Sequence, residues 1–237
     1  MDRFEKMIKL LDSRYYSDLI VAVFELIAII TGLIYARKDK TSVFFLAYLI
    51  FDFLIIIVDY GILYCYFSEK EFSNFVCFTN TLISFAELLA YYHFFLKIIH
   101  SKNTNKLMKI LRVVFSVIIA IFITTGYGFL TNRFAYVSLL IGVIELLFLV
   151  PPSFVYFYEL LKNEPIIDLY KRPSFWIVTG IFFYSVVSIP DYLIERSVAY
   201  YKPKYWNITN LLLFSIPISI NSIFLTKAFL CKKTLTI

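Results

Sequence analysis

The sequence predicts an all-α protein that crosses a membrane seven times, and three observations carry that expectation. The 237 residues are 60% hydrophobic and 20% aromatic but only 17% charged, with a mean hydropathy of +0.77; a soluble domain carries nearer a quarter charged residues. The apolar residues fall into seven runs, each long enough to cross roughly 30 Å of hydrocarbon and too long for barrel strands of about nine to eleven residues. Lysine and arginine gather in the short connections between them, in an alternating pattern that membrane orientation explains. The net charge of +6 is therefore read as loop charge rather than as a nucleic-acid surface. No run of five like charges, low-complexity linker or repeat divides the chain, and no cleavage-type signal precedes the first apolar run.

In order along the chain, residues 1–16 read as an amphipathic surface helix. Phe4, Met7, Ile8, Leu11 and Tyr15 recur at helical spacing, opposite Arg3, Glu5, Lys6, Lys9 and Asp12. The spans follow at about 17–36, 41–67, 73–99, 108–130, 134–161, 173–195 and 206–230, as one transmembrane domain, and 231–237 form a short tail. Short connections make sequential helices antiparallel. The fourth span has no carboxylate and is expected at the periphery. Pro217 in the seventh is expected to open the backbone locally, because a proline cannot bond the carbonyl four residues before it.

Orientation follows from the basic residues. One side would hold Arg37, Lys38, Lys40, Lys97, Lys102, Lys106, Lys109, Arg112, Lys162, Lys171, Arg172, Lys227, Lys232 and Lys233. The other would hold Arg3, Lys6, Lys9, Arg14, Lys70, Arg133, Arg196, Lys202 and Lys204. The richer side is cytoplasmic, which places the N-terminus outside and the C-terminus in the cytoplasm. The basic N-terminal segment opposes this assignment.

The carboxylates inside the spans are the candidate functional residues. Glu25, Asp52, Glu87 and Glu145 fall near the middle of helices one, two, three and five, Asp59 lies further outward on helix two, and Asp191 ends helix six. A charge at the bilayer centre costs about 2.5–3.5 kcal/mol even on the most lenient scale, so these groups should face the bundle interior, pair, or hold protons. Spacing supports the interior: Tyr48, Asp52, Asp59 and Tyr66 share one face, as do Asn80, Ser84, Glu87 and Tyr91, and Gly180, Tyr184, Ser188 and Asp191. With Asn221 on helix seven they would line an acidic cavity opening toward the outer side. The plainer reading makes each a protonated hydrogen-bonding group that holds two helices together. Clustered carboxyls in a dry site cannot all ionise together, so the cavity would bind a proton, a cation or a small ligand.

Pro173, Phe175, Trp176, Ile177, Gly180, Phe183 and Tyr184 form a pattern at the start of helix six, preceded by the segment Tyr156 to Leu161 and a short polar loop. Over about residues 150–190 this resembles a group of small, uncharacterised bacterial seven-helix integral membrane proteins. The resemblance implies the bacterial cytoplasmic membrane, and a sensory or signalling role beside a membrane partner. The same residues also have an architectural reading: Pro173 starts a helix, Trp176 anchors at the headgroups, and Gly180 permits close helix contact.

The expected function is thus receptor-like or sensory. A small proton- or cation-coupled transporter is the alternative, although the odd number of helices and the lack of an inverted repeat weigh against it. An intramembrane lipid-modifying enzyme is the third reading, and it would need two carboxylates as acid and base. His93 and His100 are too few for the usual metal sites, no phosphate loop, Ser/His/Asp set or Cys-x-x-Cys occurs, and no cofactor is implied. Cys65 and Cys77 flank the loop between helices two and three. An oxidising outer compartment would permit a bridge between them, and two buried thiols fit as well.

Overall fold

The structure, a computed structural model, describes residues 16–35, 40–58, 69–99, 101–124, 134–163, 166–201 and 215–231. Among these residues there are seven α-helices and no strand: α1 (Tyr16–Tyr35), α2 (Lys40–Ile56), α3 (Glu69–Ile98), α4 (Lys102–Thr124), α5 (Phe134–Asn163), α6 (Pro173–Tyr201) and α7 (Ile216–Leu230), with a 3-10 turn at Ile166–Lys171 before α6. The fold is all-α, with one helix for each apolar run. Two stretches, Leu140–Lys162 and Pro173–Pro190, are long and apolar enough to cross a membrane, while Leu19–Tyr35, Val43–Ile56 and Ile216–Leu230 are apolar but shorter. The amphipathic segment at the N-terminus, Asp59, Cys65, residues 206–214 and the tail from 232 lie outside the described residues; so do the side chains of Cys77 on α3 and Asp191 on α6.

Six helices close a ring. α1 packs on α2, α2 on α3, α3 on α5, α5 on α6, α6 on α7, and α7 back on α1, whereas α4 lies outside against α3 and, more lightly, α5. This order has a compositional cause. α4 has apolar residues on every side but no interior polar group, and its Val113, Val117 and Ile121 are exposed while Phe115 and Ile119 pack inward. The ring core is aromatic. Phe45 meets Phe94 edge-on at 5.1 Å and Tyr91 at 5.7 Å, and along the α5–α6 seam Phe157 meets Phe175 and Phe182, with the exposed Phe154 against Phe182, at centroid separations of 5.0–6.4 Å. Such offset and edge-on pairs add about 0.5–1.5 kcal/mol each beyond burial.

The ends of the helices show what apolar patterning leaves out. α4 begins at Lys102, six residues before the apolar run at 108. Ser101 is the reason: its hydroxyl accepts from the Thr104 N–H at 3.4 Å and the Thr104 hydroxyl at 3.0 Å, and its carbonyl accepts from the Asn105 N–H. Such a cap extends a helix through a polar turn that hydropathy assigns to a loop. Asn105 Nδ2 also donates to the Ile99 carbonyl at 2.8 Å, and the Ser101 N–H donates to Glu159 Oε1 at 3.2 Å, fixing the α3–α4 turn to the end of α5. Ser215, two residues before Pro217, lies in a wider π-type turn with helical angles (φ −71°, ψ −35°).

α5 contains Pro151 and Pro152. Pro152 has no N–H for the Phe148 carbonyl, and Tyr92 on α3 supplies the missing donor, its hydroxyl reaching Phe148 O at 3.2 Å. A proline-freed carbonyl thus becomes a tie between two ring helices. Replacing Tyr92 with Phe should lower stability by about 1–3 kcal/mol, the cost of stranding a buried polar group. A thermal melt of the purified variant against wild type measures it; an unchanged midpoint would show that the bond adds nothing.

Candidate functional site

Every ring helix places one polar group of the predicted set in the bundle interior: Glu25 on α1, Asp52 on α2, Glu87 on α3, Glu145 on α5, Tyr184 on α6 and Asn221 on α7. α4, outside the ring, contributes none. Glu25 and Glu145 are each 2% exposed and Glu87 6%, in a bundle whose outer leucines and valines are half-exposed. Asp52 is half-buried.

Four of these groups belong to a hydrogen-bonded chain with two tyrosines. The Glu25 and Asp52 carboxyls hydrogen-bond to one another. The Tyr48 hydroxyl stands between Asp52 and Glu87, bonded to both. Tyr91 bonds Glu87 in turn, and its oxygen accepts from Asn221 Nδ2 at 3.1 Å. Glu145 approaches Glu87 from α5 and is held by the Ser84 hydroxyl. Tyr184 lies near enough to Tyr48 to act on it electrostatically.

The helical repeat explains how the chain assembles. Tyr48 and Asp52 on α2, and Ser84, Glu87 and Tyr91 on α3, stand three or four residues apart and therefore project from one stripe of each helix. Gly180 on α6 removes the side chain that would otherwise hold Asn221 away. An added Cβ there would come within 2.6 Å of Asn221 Oδ1.

Proton bookkeeping follows from the connectivity. A carboxylate only accepts hydrogen bonds, whereas a tyrosine hydroxyl donates one. The four links from Glu25 through Asp52, Tyr48 and Glu87 to Tyr91 need one proton each. The two tyrosines supply two of these, so two protons are shared among three carboxyl groups when all four bonds are made. Among the described residues no lysine or arginine acts on Glu25, Asp52, Glu87 or Glu145. Among the described residues no three His, Cys, Asp or Glu side chains stand close enough together to hold a metal ion.

Some of the polar atoms have no partner among the described residues. Glu25 Oε2, Glu145 Oε1, Asn221 Oδ1 and the hydroxyls of Ser185, Ser188 and Ser219 are buried and unbonded. Sequence reasoning placed Tyr48, Ser84, Tyr91 and Ser188 on the right faces without marking them as site residues, and it missed Ser185, which lies off the stripe that repeats every four residues on α6.

At the end of the bundle where α6 begins, a second set of contacts ties α6 to α7. Trp176 stacks on Phe224 at 5.9 Å, the Lys227 ammonium lies 5.8 Å from the Trp176 ring, and Trp176 Nε1 donates to the Tyr170 carbonyl at 2.9 Å. The Cys231 thiol faces the Lys227 carbonyl at 3.4 Å. Its burial pushes the thiol pKa up, against the pull of the nearby Lys227 ammonium.

No protein-family profile, curated protein or solved structure matches the chain.

Proposed function

We propose that the chain is a polytopic membrane protein with its N-terminus outside and its C-terminus in the cytoplasm, and that it acts as a receptor-like sensor whose interior carboxyl network responds to protons. The observation that carries this reading is an inside-out distribution. Glu25 and Glu145 are 2% exposed, while Leu147 is 52% and Val113 58% exposed. Exposed apolar side chains run along α1, α2, α4 and α5 as a belt, far more than single scattered residues on a soluble monomer. Lipid around the belt and a polar interior satisfy both halves of the pattern. The bacterial cytoplasmic membrane, as the resemblance implies, is the proposed location. The basic end that bears Lys97, Lys102, Lys162, Lys171 and Lys227 faces the cytoplasm in this arrangement.

The sensory reading rests on the closure of the network. A proton gained or lost in a chain that joins α1, α2, α3 and α7, with α5 tied to α3 through Ser84 and Glu145, changes links on several helices at once. Asn221 is the last member of that chain and sits against Gly180 at the centre of the α6–α7 seam. The Trp176, Phe224 and Lys227 contacts continue the same seam to the basic end. A small proton-coupled carrier is the second reading, supported by unpartnered oxygens beside the network.

Two measurements test the proposal. A reporter fused after Ile237 should be active only in the cytoplasm and a tag at Met1 should be accessible from outside; both ends on one face would overturn the topology. The fluorescence of Trp176, in a Trp206→Phe background, should change with pH in reconstituted protein, and Glu87→Gln should abolish the change. An identical pH profile in the variant would remove the sensory network.

A further inference from the structure

α4 stands outside the ring, and the seam where it meets α3 gathers positive charge at the end of the bundle where α3 stops and α4 starts. His93 and Lys97 are four residues apart on α3 and share one stripe. Arg112 approaches them from α4, and it and Lys97 both lie near enough to His93 to act on it electrostatically. All three are half-buried, whereas Lys102, Lys106 and Lys109, earlier on α4, are exposed. The helix directions favour this meeting. Side chains lean toward the N-terminus of their own helix, so His93 and Lys97 lean away from the basic end and Arg112 leans back toward it. His93 lies about 8 Å short of the end of α3 and Arg112 about 15 Å past the start of α4, and the opposed leans narrow that difference.

The surroundings leave this charge in excess. From Leu88 to its end α3 carries no acid, and α4 carries none along its length. On α2, Phe44 sets its ring against His93 at 5.0 Å, and the acid of that helix, Asp52, belongs to the interior network. On α5, Glu159 stands at the same end and accepts from the Ser101 N–H. Arg112 also borders the apolar outer face of α4. On the helical repeat it falls between Met108, Phe115 and Ile119, which are buried, and Val113 and Val117, which are 58% and 50% exposed. A guanidinium fork beside an apolar strip suits an amphiphile that carries a phosphate. Arginine binds phosphate oxygens bidentately, and basic clefts between spanning helices hold anionic headgroups. We propose that the α3–α4 seam, at His93, Lys97 and Arg112, binds the phosphodiester headgroup of an anionic phospholipid whose acyl chains lie along the exposed face of α4. The lipid then bridges α3 and α4 and fastens the helix that the ring leaves outside.

The proposal rests on the membrane reading of the bundle, and its test is separable from the topology reporters. The purified full-length protein in a neutral detergent is melted with added phosphatidylglycerol or phosphatidylcholine of the same acyl chains. Phosphatidylglycerol should raise the midpoint by about 3–6 °C more than phosphatidylcholine at roughly ten times its dissociation constant. Inorganic phosphate in place of chloride, at equal ionic strength, should not reproduce that gain. Arg112→Gln should lose it. His93→Phe keeps a ring against Phe44 but has no N–H, and should need roughly tenfold more phosphatidylglycerol for the same gain. This second variant keeps the test decisive should Arg112→Gln not fold. Replacing Lys102 and Lys106 together with glutamine removes two exposed charges and should keep the gain. Equal midpoints in the two lipids for wild type would overturn the site, as would a gain that Arg112→Gln and His93→Phe both retain. Loss of the gain in the double lysine variant would also overturn it, because attraction to the whole basic end would then suffice. An equal gain from inorganic phosphate would overturn the lipid as occupant. Any of these results with both topology reporters as expected removes the lipid site alone, whereas both ends on one face with the phosphatidylglycerol gain intact would overturn the topology and keep the site.

Discussion

Replacing Glu87 with leucine should destabilise the bundle by at least about 1–3 kcal/mol, whereas replacing it with glutamine should change stability by less than about 1 kcal/mol. Glu87 is the node of the network. Tyr48 and Tyr91 both bond to it, and Tyr91 has already given its acceptor side to Asn221 Nδ2. Leucine leaves the Tyr91 proton without an acceptor in a dry core and cuts the connection between the Asp52 half and the Asn221 half. Glutamine reproduces the protonated acid: its carbonyl accepts from Tyr91, and its amide donates to Tyr48, whose own proton then turns to Asp52. Function and stability therefore separate. Glu87→Gln should fold like wild type while its Trp176 fluorescence no longer follows pH, because the node can no longer gain or lose a proton. Equal melting midpoints for the leucine and glutamine variants would mean that Glu87 contributes nothing through its bonds.

The interior position of Glu87 was legible because an acid in an apolar run has few affordable positions. The cost of a charge facing lipid, combined with the helical repeat, places Glu25, Asp52, Glu87, Glu145 and Asn221 on inward stripes before any coordinate is known. The peripheral place of α4 followed from the same rule applied in reverse, since a helix without interior polar groups has no reason to enter the ring. What periodicity does not encode is which neighbour each group meets. The ring order, with α3 against α5 and α7 against α1, depends on packing between distant segments. So Asn221 found Tyr91, 130 residues away, and Tyr92 found a carbonyl freed by a proline on another helix.

The helix ends were less legible for a different reason. Apolar content marks the hydrophobic body of a helix, and capping marks where the helix begins. The two disagree by a turn and a half at α4, where Ser101 starts a helix through Lys102, Asn103, Thr104 and Asn105. The tie from the Ser101 N–H to Glu159 shows that a carboxylate near the basic end can be structural, while those in mid-bundle form the network.

Gly180 supplies the second large effect. A methyl group there would stand 2.6 Å from Asn221 Oδ1, 3.0 Å from Phe224 Cβ and 3.6 Å from the Asn221 carbonyl oxygen. The Asn221 amide cannot turn aside without breaking its bond to Tyr91, and Phe224 Cβ is fixed to the α7 backbone, so α7 must move as a helix. Overpacking of this kind costs about 1–3 kcal/mol, and Gly180→Val should exceed Gly180→Ala. Gly32 offers a control of nearly equal crowding. Its added Cβ would meet Leu46 Cδ1 at 2.7 Å and Phe229 Cε2 at 3.2 Å, both at the ends of flexible side chains that can shift by rotation. Gly32→Ala should therefore be the milder change. Gly180→Ala should also blunt the pH response of Trp176, which stacks on Phe224 one turn away, while Gly32→Ala should leave it in place. The two can be compared by thermal midpoint and fluorescence in the same detergent. If Gly32→Ala proves as damaging on both readouts as Gly180→Ala, then close helix approach in general, rather than the Asn221 contact, sets the requirement for glycine.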